Sequence, residues 1–319
     1  MCMDPRCPGA RVAVIGTGYV GSTYAYTAVL SGIVSDLVLI DINKDKAEGD
    51  AMDLNHGLAF ARPMRIWAGD YEDTADADVI VIAAGAAQKP GETRLDLVRK
   101  NTAIFRDIIG RIMEHNPKGI ILIATNPVDI LTYATLKFSG LPPGRVIGSG
   151  TILDTARFRY LLGMYADVDP RSVHAYIVGE HGDSELAVWS LASIGPMPFA
   201  DFCWASGREY SEETVRKIFE GVRDAAYTII EKKGSTYYAI AMGLQRIVEA
   251  VLQDQHSVLS VSTLLENYHG VSDICLGVPC IINRSGVDRV LELPFSEDEE
   301  EAFRRSAATL KEIARSVGL

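Results

Sequence analysis

The sequence predicts an α/β fold, with a doubly wound parallel sheet in the first half of the chain and a mixed α+β domain in the second. Short apolar runs, typical of strands buried on both faces, recur through the first half at residues 11–15, 36–40, 79–84, 119–124 and 146–148. Helical segments alternate with these runs, and a glycine-rich turn joins the first run to its helix. In the second half, helices are mixed with strand-like runs at residues 173–178, 257–265 and 278–283.

Helix signals place the later elements. An amphipathic pattern predicts one helix over residues 212–233, ending at the stop signal Lys232-Lys233-Gly234. A second helix is predicted to begin at Ser235. The last helix is predicted to begin at Ser296, where Glu299 completes a capping box.

Composition narrows the function classes. The chain has 319 residues, of which 48% are apolar, enough for a sizeable core. It contains no apolar run of membrane-spanning length and no apolar signal segment near Met1, so we expect no membrane partner. The net charge of −11 disfavours nucleic acid as a partner. Five irregularly spaced cysteines favour a cytoplasmic protein without a disulfide framework, and no metal-ligand spacing is seen.

The glycine-rich turn has the G-x-G-x-x-G pattern between a strand and a helix. Gly16 permits the tight turn, Gly18 lets the backbone approach a pyrophosphate, and Gly21 allows close helix–strand packing. Asp41 ends the next strand, where its carboxylate would bind a ribose diol and repel a 2′-phosphate, favouring NAD over NADP. The alternative is a glycine-rich turn in another α/β fold. The turn and its surroundings are therefore assigned to NAD binding: Gly16, Gly18, Tyr19, Val20, Gly21 and Asp41.

This motif predicts a Rossmann doubly wound parallel sheet followed by a mixed α+β substrate domain. We expect an N-terminal extension at residues 1–10, an NAD-binding domain at 11–149 and a catalytic domain at 150–319.

Two further loops lie at the carboxyl ends of predicted parallel strands, where ligands bind in such folds. The loop over residues 85–93 contains Gly85 and Ala86, which we assign to the cofactor, and Gln88. It leads into a helix that begins at Arg94. Asn126 follows the next strand. Gln88 and Arg94 could instead be solvated, and Asn126 could be a plain helix cap.

A lone histidine, His181, lies in the segment GEHGDSE after an apolar run. Nicotinamide chemistry needs an acid/base near neutrality, and histidine supplies one. Asp154 could orient the imidazole, and Arg157, three residues on and on the same helical face, could bind a carboxylate. Arg159 lies about 200° round the helix from Arg157 and cannot serve the same pocket. The alternatives are a polar loop and a surface ion pair. Together these residues predict an NAD-dependent 2-hydroxy-acid dehydrogenase.

The segments GTGYVGS, GAAQKPGETRLDLVRKN, TNPVD, GSGTILDTARFR, GEHGDSE and KKGSTYYAIA resemble the L-lactate dehydrogenase family in order and over nearly the whole chain after residue 10. The resemblance implies that His181 is the proton donor and acceptor with Asp154 as its partner, that Arg157 binds the substrate carboxylate, and that Arg94 polarises the carbonyl. It further implies substrate or cofactor contacts for Asn126, Thr236 and Ile240.

Gln88 distinguishes close relatives within this resemblance. The similar malate dehydrogenases have an arginine here to pair with a second carboxylate, whereas a methyl group needs no charge. Glutamine therefore predicts pyruvate and lactate as substrates. A malate or other L-2-hydroxy-acid dehydrogenase is the alternative enzyme, and a non-catalytic NAD-binding sensor is an alternative of another class. An NAD-dependent glycosidase would need a metal-ligand cluster.

The resemblance extends to regulation. Arg159 and His174 match positions that bind fructose 1,6-bisphosphate across a subunit interface in allosteric bacterial members, which are homotetramers. The alternative is that both are ordinary interface or surface residues.

Overall fold

The computed structural model describes residues 9–87 and 91–319, apart from the side chain of Arg94. The predictions for Gln88 and for residues 1–8 lie outside this description.

A parallel sheet forms the centre of the first half, as predicted. Its strands are β1 (Arg11–Ile15), β2 (Asp36–Ile40), β3 (Arg65–Ala68), β4 (Val79–Ile82), β5 (Ile120–Ile123) and β6 (Val146–Gly148). They run in the order β3-β2-β1-β4-β5-β6, all parallel to their neighbours. The helices between them are α1 (Tyr19–Ser31), α2 (Lys44–Gly57), α3 (Arg94–His115) and α4 (Val128–Ser139).

Alternate side chains of the central strands enter two different cores, one on each face of the sheet. In β1, Val12 and Val14 pack into the first core, while Ala13 and Ile15 pack into the second. All four are buried. This double burial explains why the strands are apolar without alternation. The edge strand β3, which has a single fully buried side chain at Ile66, lacks that signal and was not predicted.

The second half adds three antiparallel strands to the same sheet. The strands of the second half are β7 (Val173–His174), β8 (Ile177–Val178), β9 (Leu186–Ala187), β10 (Ser193–Ile194), β11 (Met197–Pro198), β12 (Ser257–Leu265), β13 (Ile274–Asn283) and β14 (Gly286–Val290). Strand β12 pairs with β6 through Ser262 and Gly148, so the sheet has nine strands among the described residues, in the order β14-β13-β12-β6-β5-β4-β1-β2-β3. The remaining helices are α5 (Ile152–Ala166), α6 (Phe199–Ala205), α7 (Glu212–Arg223), α8 (Ala225–Lys233), α9 (Tyr238–Leu252) and α10 (Glu297–Ser316).

Several predicted boundaries were wrong. The predicted strand 173–178 is divided into β7 and β8, which pair with different partners. The predicted helix 212–233 is divided at Asp224, which ends α7 and begins α8. Helix α9 begins at Tyr238 and not at Ser235, because Tyr237 has non-helical backbone angles. The predicted strand 278–283 is the second part of β13.

The last helix confirms its predicted start. The Ser296 hydroxyl accepts a hydrogen bond from the N–H of Glu299, whose carboxylate accepts one from the N–H of Ser296. Among the described helices, none combines the length and apolar character that crossing a bilayer requires.

Candidate active site

The glycine turn between β1 and α1 is shaped for a ligand at one of its three glycines. A Cβ on Gly16, which has a positive φ of 92°, would lie 2.5 Å from the Ala84 backbone. A Cβ on Gly21 would lie 1.8 Å from the Gly16 carbonyl oxygen, so helix and turn touch there. A Cβ on Gly18 would meet no described atom within 4 Å. The open space therefore lies at Gly18, the glycine whose backbone is predicted to approach a pyrophosphate.

The N-terminal end of α1 carries the positive end of the helix dipole, which suits an anionic ligand. Its N-cap residue is Gly18, which has no side chain, so the first N–H groups of the helix, from Tyr19 and Val20 onward, remain for an anion. A phosphate group fits this end of the helix because the helix dipole favours negative charge there.

Asp41 ties the end of β2 to the glycine turn. One of its carboxylate oxygens accepts hydrogen bonds from the Thr17 N–H at 2.6 Å and the Thr17 hydroxyl at 3.1 Å. The other oxygen accepts one from the N–H of Asn43 at 2.8 Å. The carboxylate thus lies beside the turn and has a local structural role that the motif alone does not reveal, while its predicted contact with a ribose stays a prediction.

The loops after β4 and β5 are joined by a side chain that sequence analysis missed. The amide of Asn101, a buried residue of α3, accepts a hydrogen bond from the Ala86 N–H at 2.8 Å and donates one to the Asn126 carbonyl at 3.0 Å. A Cβ on Gly85 would collide with Thr125 at 2.4 Å. The two loops are therefore held together at the carboxyl edge of the sheet, and the side chain of Asn126 is exposed there.

The His181 loop is anchored to three other elements through its backbone. Gly179 exchanges two N–H···O bonds of 2.9 Å with Gly277 of β13. The N–H of Glu180 donates to the Ser306 hydroxyl at 2.9 Å, and the N–H of His181 donates to Asp129 of α4 at 2.8 Å. These bonds fix the loop where β8 ends.

Helix α5 is fixed to the same strand. Thr151, the N-cap residue of α5, and Thr155, in its first turn, donate hydroxyl hydrogen bonds to the Ile177 carbonyl of β8 at 2.7 and 3.3 Å. Asp154, which lies between these two threonines in the chain, is also buried, with a side chain that is 2% exposed.

The predicted histidine–carboxylate pair forms between these two elements. His181 Nδ1 and Asp154 Oδ2 are 2.5 Å apart, and Arg157 donates from Nη1 to Asp154 Oδ1 at 2.8 Å. Asp154 therefore has a cationic partner at each oxygen. The Arg157 side chain is 13% exposed and that of His181 is 25% exposed, so both retain some contact with solvent.

The charges of the pair stabilise each other. Burial opposes a charge on His181, but the Asp154 carboxylate outweighs it and raises the pKa of His181 to about 9. Burial likewise opposes the Asp154 charge, yet His181 and Arg157 hold the pKa of Asp154 below its usual value. The imidazole is therefore protonated at neutrality, with Nε2 as the ring nitrogen that Asp154 leaves free.

Two further acids near His181 were missed by sequence analysis. Asp129 is buried, and burial raises its pKa to about 6. Glu185 is 8% exposed, and burial together with the Asp154 charge raises its pKa to about 8. Glu185 belongs to the segment GEHGDSE, but nothing in the sequence showed that its side chain turns inward.

The other predicted positions are placed as follows. Arg159 donates from Nε to the Ala175 carbonyl at 3.0 Å and lies over the ring of Tyr176, on a different side of α5 from Arg157, as predicted. His174, next to Ala175, is exposed. Thr236 lies between α8 and α9, and Ile240 of α9 packs against the first core.

An aromatic contact links the Thr236 segment to the glycine turn. The ring of Tyr237 stacks on that of Tyr19 with centroids 5.2 Å apart, so the segment lies close to the start of α1. Arg94 is the first residue of α3, and its side chain, like Gln88, lies outside the described part of the chain.

Two family models together match nearly the whole chain. The family model of the lactate/malate dehydrogenase NAD binding domain matches residues 10–148, and that of the lactate/malate dehydrogenase alpha/beta C-terminal domain matches residues 151–317. An L-lactate dehydrogenase of Geobacillus thermodenitrificans is 59% identical over 97% of this chain and 98% of its own length. One of Thermoanaerobacter pseudethanolicus is 53% identical over 97% of this chain and 99% of its own.

Solved structures extend the likeness to three dimensions. The minor L-lactate dehydrogenase of Enterococcus mundtii, in its ligands-bound form, superposes with a TM-score of 0.95 at 44% identity, over 98% of this chain and 99% of that one. A lactate dehydrogenase from a Medee basin deep-sea metagenome library gives a TM-score of 0.95 at 47% identity, with the same coverage. The chain therefore belongs to the lactate/malate dehydrogenase family.

Proposed function

We propose that this protein is an NAD-dependent L-lactate dehydrogenase that interconverts pyruvate and (S)-lactate. The observation that carries the proposal is the joint engagement of Asp154 by His181 at 2.5 Å and Arg157 at 2.8 Å. A binding protein needs no such proton relay, whereas reduction of a 2-oxo acid needs both a proton donor and a carboxylate clamp. Relatives named as L-lactate dehydrogenases over nearly the full length support the same activity.

NAD, when bound, supplies the hydride acceptor and NADH the donor. The residues that would hold it are those of the open turn and its edge: Gly16, Gly18, Tyr19, Val20, Gly21, Asp41, Gly85, Ala86, Asn126 and Ile240. Backbone N–H groups at the start of α1 take the pyrophosphate, and Asp41 takes the ribose hydroxyls.

His181 moves the proton. In pyruvate reduction, protonated His181 gives the Nε2 proton to the carbonyl oxygen, which becomes the lactate hydroxyl. In lactate oxidation, neutral His181 accepts that hydroxyl proton. Asp154 holds Nδ1 in both directions, which fixes the ring orientation and stabilises the charged form.

Arg157 binds the substrate carboxylate with its planar guanidinium, and Arg94 polarises the carbonyl where negative charge develops. Asn126 and Thr236 line the remaining substrate pocket, and Gln88 faces the methyl group of pyruvate. We place the substrate cleft between the glycine turn and the His181 loop. The turn belongs to the proposed NAD-binding domain, residues 11–149, and the loop to the proposed catalytic domain, residues 150–319.

The assay that tests this function follows NADH oxidation with pyruvate, oxaloacetate and longer 2-oxo acids. We expect a strong preference for pyruvate, and Gln88→Arg should shift the preference toward oxaloacetate by tenfold or more, since a hydrogen bond to a charged group contributes about 1.5–3 kcal/mol. Equal rates on both substrates would contradict the role of Gln88. NADH binding without turnover of any 2-oxo acid would favour a sensor.

We further propose a cytoplasmic homotetramer activated by fructose 1,6-bisphosphate. The guanidinium of Arg159 and the exposed imidazole of His174 flank Ala175, outside the substrate pocket, and could bind an anionic sugar phosphate there. Exposed apolar side chains on α1, Tyr26 at 56% and Leu30 at 64%, support burial against another subunit.

The sugar bisphosphate should lower the apparent KM for pyruvate, and Arg159→Gln should remove that response. Light scattering of the purified protein reports the subunit number. An unchanged KM in the wild type would refute the activation.

A further inference from the structure

A third ionisable side chain adjoins the His181–Asp154 pair. Glu185 lies four residues after His181, where the loop enters β9. One oxygen of each carboxyl and a ring nitrogen of His181 all lie within 4.8 Å of one another. Glu185 is thus close enough for its charge to act directly on both partners.

The carboxyl of Glu185 is buried without the hydrogen-bonded cations that Asp154 has at both of its oxygens. Its Oε1 has no hydrogen-bond partner within the part of the chain that the structure describes, although the residue is only 8% exposed. Asp154, by contrast, has His181 at one oxygen and Arg157 at the other. Two neighbouring carboxylates do not both ionise easily, and the proton stays on the less compensated one.

The surrounding charges identify that one as Glu185. Asp154 and Arg157 face it from α5, His181 from its own loop and Arg223 from α7. Asp129 of α4 faces His181 from another side. Burial first and the Asp154 charge second raise the pKa of Glu185 to about 8, despite the three cations. A neutral Glu185 also leaves the charge of Arg157 available to an anionic substrate.

We propose that Glu185 is a positioning residue that carries a proton beside the His181–Asp154 pair at neutral pH and, by releasing it, extends the pH range over which His181 stays protonated. This inference rests on the proposed function, in which His181 is the proton donor to pyruvate. The step is a simple ionisation: Glu185 loses its proton to solvent first, and the new negative charge then stabilises the imidazolium. The two groups titrate as a pair, so each shapes the other's curve.

The kinetic test compares pH profiles of kcat/KM for pyruvate with saturating NADH. Replacing the carboxyl by an amide that cannot ionise, Glu185→Gln, should move the alkaline midpoint down by about one pH unit, the size expected for one nearby charge. Asp183→Asn removes an exposed carboxylate from the same loop and should leave the midpoint within about 0.2 unit of the wild type, because solvent screens exposed charges. An unmoved midpoint in Glu185→Gln, or an equal shift in Asp183→Asn, would overturn the proposal.

A second measurement needs no activity. In 15N-histidine-labelled wild-type protein, assigned with His181→Asn, the ring signals of His181 should titrate in two steps above pH 7, and in Glu185→Gln in one step. The range begins at pH 7 because Asp129, which also faces His181, has a pKa of about 6. A single-step curve in the wild type would overturn the coupling even if pyruvate is reduced as proposed. Conversely, a two-step curve in a protein that reduces no 2-oxo acid would refute the proposed function and leave the coupling intact.

Discussion

The NAD-binding and acid–base regions of this molecule build their sites by different means. The glycine turn uses backbone: the positive φ of Gly16 and the close contact of Gly21 with the turn are set within one short segment. The acid–base region uses side chains from separate elements. His181 meets Asp154 across 27 residues of sequence and Asp129 across 52. A backbone site is therefore visible in local sequence, whereas a side-chain site depends on the packing of the whole second half.

This difference determines whether a single substitution affects the chemistry, the binding of the cofactor or both. A side chain in the acid–base region can be replaced while the glycine turn stays intact, so chemistry and cofactor binding should be separable. Within the acid–base region the groups share partners, since Asp154 serves both His181 and Arg157, and changes there should not be additive.

The largest effect should come from His181→Asn, which tests whether the two regions are separable. We expect kcat to fall by about 10²–10⁴-fold in both directions, because no group then transfers the proton. NADH affinity, measured by fluorescence titration, should change little, since the glycine turn is untouched. His256→Asn, at a histidine whose side chain is 60% exposed, is the control. Loss of NADH binding in His181→Asn would show that the histidine is structural and that the regions are not independent.

Arg157→Lys tests whether the binding of substrate in the acid–base region needs the planar guanidinium or only a positive charge. Lysine keeps the charge but loses the planar fork that can hold Asp154 and a substrate carboxylate together. We expect the KM for pyruvate to rise by about thirtyfold, corresponding to about 2 kcal/mol. Arg171→Lys, at a side chain that is 91% exposed, should have the wild-type KM. A KM near the wild-type value in Arg157→Lys would mean that a point charge is sufficient there.

The pH dependence separates the two directions of the reaction. His181 has a pKa raised to about 9, so its charged form predominates below that value and is lost above it. Reduction of pyruvate needs the charged form and should fall about tenfold per pH unit above the midpoint. Oxidation of lactate needs the neutral form and should rise as the pH increases through the pKa of His181 in the NAD complex. Initial rates from pH 6 to 10 in both directions check this, and parallel profiles would contradict the relay.

More of the NAD-binding region than of the acid–base region could be predicted from the sequence. The motif from Gly16 to Gly21 and the acidic end of β2 were predicted from spacing alone, because both lie next to the strands that position them. Asp154 and Arg157 were placed on one helical face by their spacing. Their link to His181 was predicted from the orienting partner that an acid–base histidine needs, and the family resemblance implied the same link. Asp129 and Glu185 carried no local signal, because their burial results from contacts between elements far apart in the chain.

The same limit explains the boundary errors. The pattern over residues 212–233 is helical throughout, yet the chain ends one helix and begins another at Asp224. Strand β3 has only a short apolar run, Ile66-Trp67-Ala68, because it lies at the edge of the sheet, where its side chains are less buried than those of the central strands.

Asp41 tests the distinction between the two regions, because it is a side chain within the NAD-binding region, which is otherwise built from backbone. Its oxygens already accept hydrogen bonds from Thr17 and Asn43, so it can act on the turn, on the ribose or on both. Asp41→Asn should weaken NADH binding several-fold, the size of one lost hydrogen bond of about 1 kcal/mol, and should lower the ratio of the NADPH and NADH KM values by removing a charge that repels a 2′-phosphate. Asp45→Asn removes an exposed charge from the first turn of α2 and serves as the control. If Asp41→Asn lowers only the melting temperature and leaves the cofactor ratio unchanged, the carboxylate serves the turn alone, and selection between the two cofactors must depend on other groups.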